Sequence, residues 1–388
     1  MSINAVRAAL RGALSLGLGI ALALAMATAA PAQTIKIGAI CSLTGPAAAF
    51  GKPYCDGFEA YLKYWNSRGG TAGNKVEMLV LDDETNPVTA VNTFRRLADN
   101  KDVSAIWLGI SSNSVLAIKP LASEAKIPIV ASGAADAIGV PPDPFLFKVV
   151  PGAVDFMIAL LEWAQKQGVQ TMATINATDA YGQNEAARMK ELAPKYGIKL
   201  VAQESFAVSD TNFTAQLVRI RGGKPDLVYS GATGGPAVLV FQQYKQLGLT
   251  APIALSQAAL NPAFFKAVGG LQAAEGILSP SNQGALGATV AGEAGKQFQL
   301  LVKWSTQPPM LFNTFGWDHG IVTEWAITNS DASRAGIRAA LDRVKDIPGI
   351  NGPFNYRPDH HVGQDARGLR MTVLVGGKFV LAEKLPGK

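Results

Sequence analysis

The sequence predicts an α/β fold built twice, each copy a parallel sheet with helices on both faces. Three observations point to it. Strand and helix patterns alternate almost throughout the chain, the strand candidates are near-continuous apolar runs, and they fall into two series separated by a proline-rich stretch at 141–151. Apolar strands joined by helices are what a sheet buried on both faces requires.

The first unit reads T-I-K-I-G-A-I-C-S-L-T-G-P from residue 34, then an amphipathic stretch ending N-S-R-G-G, then K-V-E-M-L-V-L-D-D-E-T-N-P. That is strand, glycine-containing loop, helix, turn and strand, with Asn86-Pro87 announcing the next helix. Phe58, Tyr61, Leu62 and Trp65 recur at i, i+3, i+4, i+7 and share one helix face. Strands at 35–40, 76–81, 103–108, 127–131 and 145–150 form the first series, and 171–175, 199–206, 226–230, 252–256 and 276–279 the second. The first crossover is expected near Pro151 and a second at Pro280-Ser281-Asn282. The tail, 371–383, is a hairpin pattern with Gly376-Gly377 at its turn.

Arg7 and Arg11 precede an apolar run from Ala13 to Ala27, and Ala30-Pro31-Ala32 supplies the small residues a signal peptidase prefers. Residues 1–32 are therefore expected to be a cleaved leader, with the mature chain starting at Gln33. A membrane anchor is the competing reading. The run is about fifteen residues, short of the ~20 that span a bilayer, and no cationic cluster follows it. Taking 32 residues from 388 leaves 356, and the two arginines lost bring the net charge from +6 to +4. This length suits two domains. Charged residues make up 16% of the chain, below the usual ~25%, and the positive charge is dispersed. No basic run suggests a nucleic-acid or lipid partner.

Two cysteines, Cys41 at the end of the first strand and Cys55 in the first helix, leave a disulfide and two buried thiols both open. Catalysis is not expected. The three histidines are His319, His360 and His361, the last two in a polar D-H-H turn that fits no tetrahedral metal site. There is no G-x-x-x-x-G-K-[ST] loop and no G-x-S-x-G elbow. Asp82-Asp83 reads as a strand end leading to a helix cap. No cofactor is expected.

S-L-T-G-P (42–46), N-S-R-G-G (66–70), D-D-E-T-N-P (82–87), G-I-S-S-N-S (109–114), D-A-Y-G (179–182), P-D-L-V-Y-S-G (225–231) and G-P-F (352–354) occur in a telling order and spacing. In them the chain resembles periplasmic leucine/isoleucine/valine-type binding proteins, the branched-chain amino acid class of ABC-transporter substrate-binding proteins. The resemblance implies a type I periplasmic binding protein fold: two flavodoxin-like, doubly wound lobes joined by three hinge crossings. The third would fall near 355–359. Residues 33–151 plus 281–357 would form the N-terminal lobe, and 152–280 plus 358–388 the C-terminal lobe. It also implies a monomer in the periplasm that closes on a small molecule and docks on membrane permease subunits. Ligands of open α/β sheets bind beyond the carboxyl ends of the strands, which agrees.

Site residues follow from the same likeness. Ser111 and Ser112 precede a helix, where N–H groups and hydroxyls suit a carboxylate; ordinary capping is the alternative, and the resemblance assigns Ser112 the key hydroxyl. Gly133 would offer backbone, while Ala135 stands where the family has a threonine. Tyr181 and Thr233 would face the cleft from the second lobe. Phe50 and Trp317 match positions that are commonly tyrosine, with core packing as their alternative role. Gln257 stands where amino-acid binders of the family usually carry an acid to pair with the ligand's ammonium. A neutral amide cannot neutralise a buried cation. The expected ligand is therefore an aromatic or otherwise apolar carboxylate without an α-amino group. Apolar amino acids, small amides or urea-like solutes, and a sensor on the same fold are the alternatives.

Overall fold

The computed structural model describes residues 34–386, so the expected leader lies outside the described residues. Five parallel strands, β1 (Ile35–Cys41), β2 (Val76–Asp82), β3 (Val103–Gly109), β4 (Ile129–Ala131) and β5 (Leu146–Lys148), form the first sheet in the order β2-β1-β3-β4-β5. Helices α1 (Ala48–Ser67), α2 (Pro87–Asp99) and α3 (Ser112–Ala125) connect the first four strands. The D-D-E-T-N-P motif organises this lobe's top edge. Asp82 accepts from the Leu43 N–H at 2.9 Å and the Thr44 hydroxyl at 2.7 Å. Asn86 caps α2 by accepting from Val88 N–H at 2.8 Å, with Pro87 at the first helical position. A disulfide between Cys41 and Cys55 (Cα–Cα 6.2 Å) ties the end of β1 to α1.

The chain leaves the first sheet after Lys148 and enters the second lobe at α4 (Ala153–Lys166). There β6 (Thr171–Ala177), α5 (Ala180–Leu192), β7 (Lys199–Phe206), α6 (Thr214–Gly222), β8 (Leu227–Gly231), α7 (Gly234–Gln246), β9 (Ile253–Leu255), α8 (Pro262–Ala267) and β10 (Leu278–Asn282) follow. The sheet order is β14-β13-β10-β9-β8-β6-β7, with β13 (Leu369–Val375) and β14 (Lys378–Leu381) antiparallel at one edge. Gly376 and Gly377 make the two-residue turn between them, at φ +56° and +75°, where glycine is the natural occupant.

Between these passages the chain returns to the first lobe as α9 (Gly292–Trp304), α10 (Leu311–Thr328), α11 (Arg334–Leu341) and a short hairpin, β11 (Ile347–Gly349) and β12 (Gly352–Phe354). α10 crosses α1 backbone to backbone. A Cβ on Gly57 would stand 2.3 Å from the Asn313 carbonyl, and one on Gly316 2.3 Å from the Tyr54 carbonyl. Only glycine permits that approach, which sets the aromatic rows of the two helices against each other.

Two expected boundaries move. Residues 280–282, read as a crossing, belong to β10; Pro280 sits beyond the strand's single pairing with β9 at Leu278, so its missing N–H costs no bond on that side. The crossing follows Asn282. Similarly, residues assigned to the C-terminal lobe from 358 onward begin beside the first sheet. Lys148 N–H donates to the His361 carbonyl and Gly363 N–H to the Lys148 carbonyl, both at 2.8 Å, so the third passage comes after Gly363.

Candidate ligand-binding site

A cleft between the lobes holds about 580 Å3 of empty space, its open mouth included. The first-lobe wall is the turn from β3 into α3 and the loop after β4. Ser111 is the N-cap of α3, accepting from the Ser114 N–H at 3.3 Å. The Ser112 hydroxyl accepts from the Ala135 N–H at 3.3 Å, fastening the two segments together. Ser132 reinforces this, accepting from Ile110 N–H at 3.0 Å and donating to the Ile110 carbonyl at 2.8 Å. Gly133 is at φ +88°, and a Cβ there would stand 2.6 Å from Ile138 Cδ1 and 3.2 Å from Ser112 Oγ. The first turn of α3 thus presents N–H groups and serine hydroxyls to the cleft over a glycine that adds no bulk. Such a terminus attracts an anion.

The second-lobe wall comes from the start of α5, the start of α7 and the loop after β9. Asp179 caps α5, its carboxylate accepting from Gly182 N–H at 2.8 Å, and burial raises its pKa against that bond. The buried Tyr181 hydroxyl shares a 2.5 Å hydrogen bond with Ser256 and lies 3.4 Å from Gln257 Oε1, while the Ser256 hydroxyl lies 3.3 Å from the same oxygen. Thr233, the N-cap of α7, makes no capping bond with its side chain.

Aromatic rings line the third side. Phe50 and Tyr54 of α1 meet Phe312 of α10 at centroid distances of 5.6 Å each, and Tyr54 stacks on Phe315 at 6.0 Å. Ile110, Ala134, Val150 and Ala258 complete an apolar surround. Asp179 is the one charged side chain among the described residues lining the cleft. The lobes also touch beside it: Asn113 Oδ1 accepts from Ala180 N–H at 3.2 Å, and Asp136 pairs with Arg188 at 2.7 Å. No group of three or more potential metal ligands is gathered among the described residues.

Residues 34–377 match the family model for periplasmic binding proteins. The chain belongs to the periplasmic binding protein family. An amino acid binding protein of Pseudomonas aeruginosa is 25% identical over 256 residues, covering 63% of this chain and 66% of that one. A Leu/Ile/Val-binding protein homolog of Brucella abortus is 25% identical over 230 residues, 56% of this chain and 57% of that one. The match therefore spans less than two thirds of each of these curated relatives. An extracellular ligand-binding receptor from Rhodopseudomonas palustris superposes with a TM-score of 0.81 at 28% identity, covering 89% of this chain and 99% of that one. A branched-chain amino acid transporter substrate-binding protein from Streptococcus pneumoniae, in complex with isoleucine, gives a TM-score of 0.79 at 21% identity over 89% and 97% of the two chains, a likeness of fold. The fold is that of a type I periplasmic binding protein, and the relatives are named as binding proteins, not enzymes. No helix among the described residues is long and apolar enough to cross a membrane.

In this periplasmic binding protein Phe50, Ser111, Ser112, Gly133, Tyr181, Thr233 and Gln257 gather around the one cleft. Trp317 does not, which corrects its expected role. It is fully buried on the far side of α10, edge-on to Tyr61 at 4.8 Å, stacked on Tyr64 at 5.3 Å, and donating from Nε1 to Gln297 at 3.0 Å. Five residues after Phe312 is nearly half a turn off the cleft-facing side of a helix. Ala135 is also displaced: its N–H goes to Ser112 and its carbonyl accepts from Lys148 at 3.2 Å, so its main chain serves the loop and not the cleft. Tyr54, Asp179, Phe312 and Phe315 were missed. Tyr54 follows Phe50 by one turn, and Phe312/Phe315 sit at i, i+3, spacings that could have flagged both pairs.

Proposed function

We propose that this chain captures a small carboxylate-bearing ligand, aromatic or otherwise apolar and lacking an α-amino group, by closing its lobes on it in the periplasm. It then delivers the ligand to the permease of an ABC importer, whose ATPase subunits lie elsewhere. The observation that carries this reading is the mismatch of the two walls. The first-lobe wall offers N–H groups and hydroxyls to an anion. Opposite it stands Gln257, whose Oε1 already faces two hydroxyls. What the amide has left for a ligand is its NH2, a donor, which suits an oxygen and repels an ammonium. The aromatic side supplies apolar area and shape selection. Ligand touches both lobes only when they are closed, so binding shifts the hinge equilibrium towards closure.

A second reading rests on Asp179. Its carboxylate lines the cleft, so an apolar amino acid could place its ammonium there, in keeping with the names of the relatives. A thermal-shift screen of refolded, ligand-stripped protein against aromatic carboxylates and apolar amino acids tests the two. The first reading expects stabilisation by carboxylates without an amine. Stabilisation by leucine or valine, abolished in Asp179→Asn, would replace it with the second.

A further inference from the structure

One turn after Tyr181 on α5 lies Glu185, fully buried behind the second-lobe wall. It is held against the strand end that leads to Thr233: a Cβ on Gly231, the last residue of β8, would stand 2.6 Å from Glu185 Oε2 and 2.2 Å from Asn176 Oδ1. Neither carboxyl oxygen has a hydrogen bond of normal geometry, and the Tyr229 hydroxyl and Asn176 Nδ2 beside it are likewise without one. A buried ionisable group so poorly served is costly to keep for packing alone.

Every element around it can be named. Tyr181 faces it from its own helix, Tyr229 from β8 and Asn176 from β6, while Ser256 touches both tyrosines from the loop after β9. The charges acting on it are Asp179 at the start of α5 and Asp136 of the first lobe, both acidic; Asp136 itself is paired with Arg188. Burial pushes the Glu185 pKa up to about 8, against the pull of the Tyr181 and Tyr229 hydroxyls.

We propose that Glu185 is the positioning residue that sets the charge preference of this cleft, by controlling where the Tyr181 proton points. As a neutral acid it donates to a tyrosine oxygen and leaves the Tyr181 proton to the cleft side, where Ser256, Gln257 and a ligand oxygen compete for it. As a carboxylate it draws that proton away and places a negative charge behind the ligand. Both changes disfavour an anion. The direction of this preference rests on the carboxylate reading above.

The test is titration calorimetry of the mature protein with 3-phenylpropionate and with leucine between pH 6 and 9, in wild type, Glu185→Gln and Glu185→Leu. Wild type is expected to bind 3-phenylpropionate about tenfold more weakly at pH 9 than at pH 7, taking up a proton. Glu185→Gln, which keeps a neutral hydrogen-bonding group, should bind within about threefold of wild type at pH 7 and lose the slope. Glu185→Leu should bind at least tenfold more weakly at every pH. If leucine binds instead, more tightly as pH rises, with the slope gone in Glu185→Gln, the ligand reading fails and the role of Glu185 stands. A slope that survives in Glu185→Gln, or none in wild type, overturns the proposal.

Discussion

Asp136 of the first lobe accepts from the Arg188 guanidinium of the second at 2.7 Å, and the Asn184 side chain brackets the same residue, accepting from Asp136 N–H at 2.6 Å and donating to its carboxylate at 3.2 Å. This contact joins the lobes beside the cleft, so any opening of the lobes there would have to break it. Arg188 is about a third exposed, so the pair contributes about 1 kcal/mol after screening. Arg188→Ala is therefore expected to weaken ligand binding roughly fivefold, through faster dissociation and with the melting temperature little changed. Stopped-flow release rates check it; an unchanged rate would show that the contact does not hold the closed form.

Ser112→Ala and Tyr181→Ala should each weaken binding by about 1–3 kcal/mol while the protein stays folded, since each removes a hydroxyl from a wall of the cleft that the proposed function assigns to the ligand. Calorimetry on both variants, with circular dichroism as the folding control, measures this. Full affinity in either removes that residue from the site.

Trp317→Ala makes the opposite prediction. The indole fills the α1–α10 interface against Tyr61 and Tyr64, so its loss should cost about 3–5 kcal/mol of stability. Affinity of the folded fraction should not change. A selective loss of affinity would return Trp317 to the cleft.

Those contrasting residues show what the sequence could convey. The alternation of strand and helix was legible because the central strands of both sheets are buried on both faces, which leaves a continuous apolar signature. The serine turn was legible because a helix start has its own chemistry. Trp317 was misplaced because aromatic character does not say which side of a helix faces the ligand. That depended on α10 crossing α1 through Gly57 and Gly316, a relation between residues about 260 positions apart. Glu185 escaped notice because a charged residue in mid-helix normally faces water; only the packing of β8 and β6 over it makes it a buried acid. The second crossing slid because Pro280, paired with β13 but beyond the pairing with β9, reads like a loop, and the third because the pairing of Lys148 with residues 361–363 joins positions far apart in sequence.

His319 predicts an acid limb. It is buried among Tyr54 and Phe58, and burial lowers its pKa to about 4 against its hydrogen bond to the Phe315 carbonyl. The unfolded chain, with an ordinary histidine near 6.5, binds a proton that the folded one refuses, so stability is lost as pH falls from about 6.5 towards 4. The loss should reach about 2–3 kcal/mol. Glu185, whose pKa is raised, acts with the opposite sign, its contribution being present below about 4.5 and lost as pH rises through about 8. Comparing urea midpoints of wild type and His319→Phe at pH 4.5 and 6.5 isolates the histidine. Equal drops in the two proteins would refute its part.

Reducing the Cys41–Cys55 bridge, which spans a sequence separation of 14, should lower stability by about 3 kcal/mol. Cys41→Ser/Cys55→Ser, unfolded in urea beside wild type, reads it. Because the bridge anchors α1, which carries Phe50 and Tyr54, ligand affinity should fall as well.

The central claim is that the cleft takes a carboxylate and rejects an α-ammonium. The most direct measurement is calorimetry with ligand pairs that differ only by the amine: 3-phenylpropionate against phenylalanine, and 4-methylpentanoate against leucine. Each acid should bind at least tenfold more tightly than its amino acid, since an unpaired buried ammonium faces Gln257. Tighter binding of phenylalanine or leucine than of the matching acid would contradict the account and make Asp179 the partner of the ligand's amine.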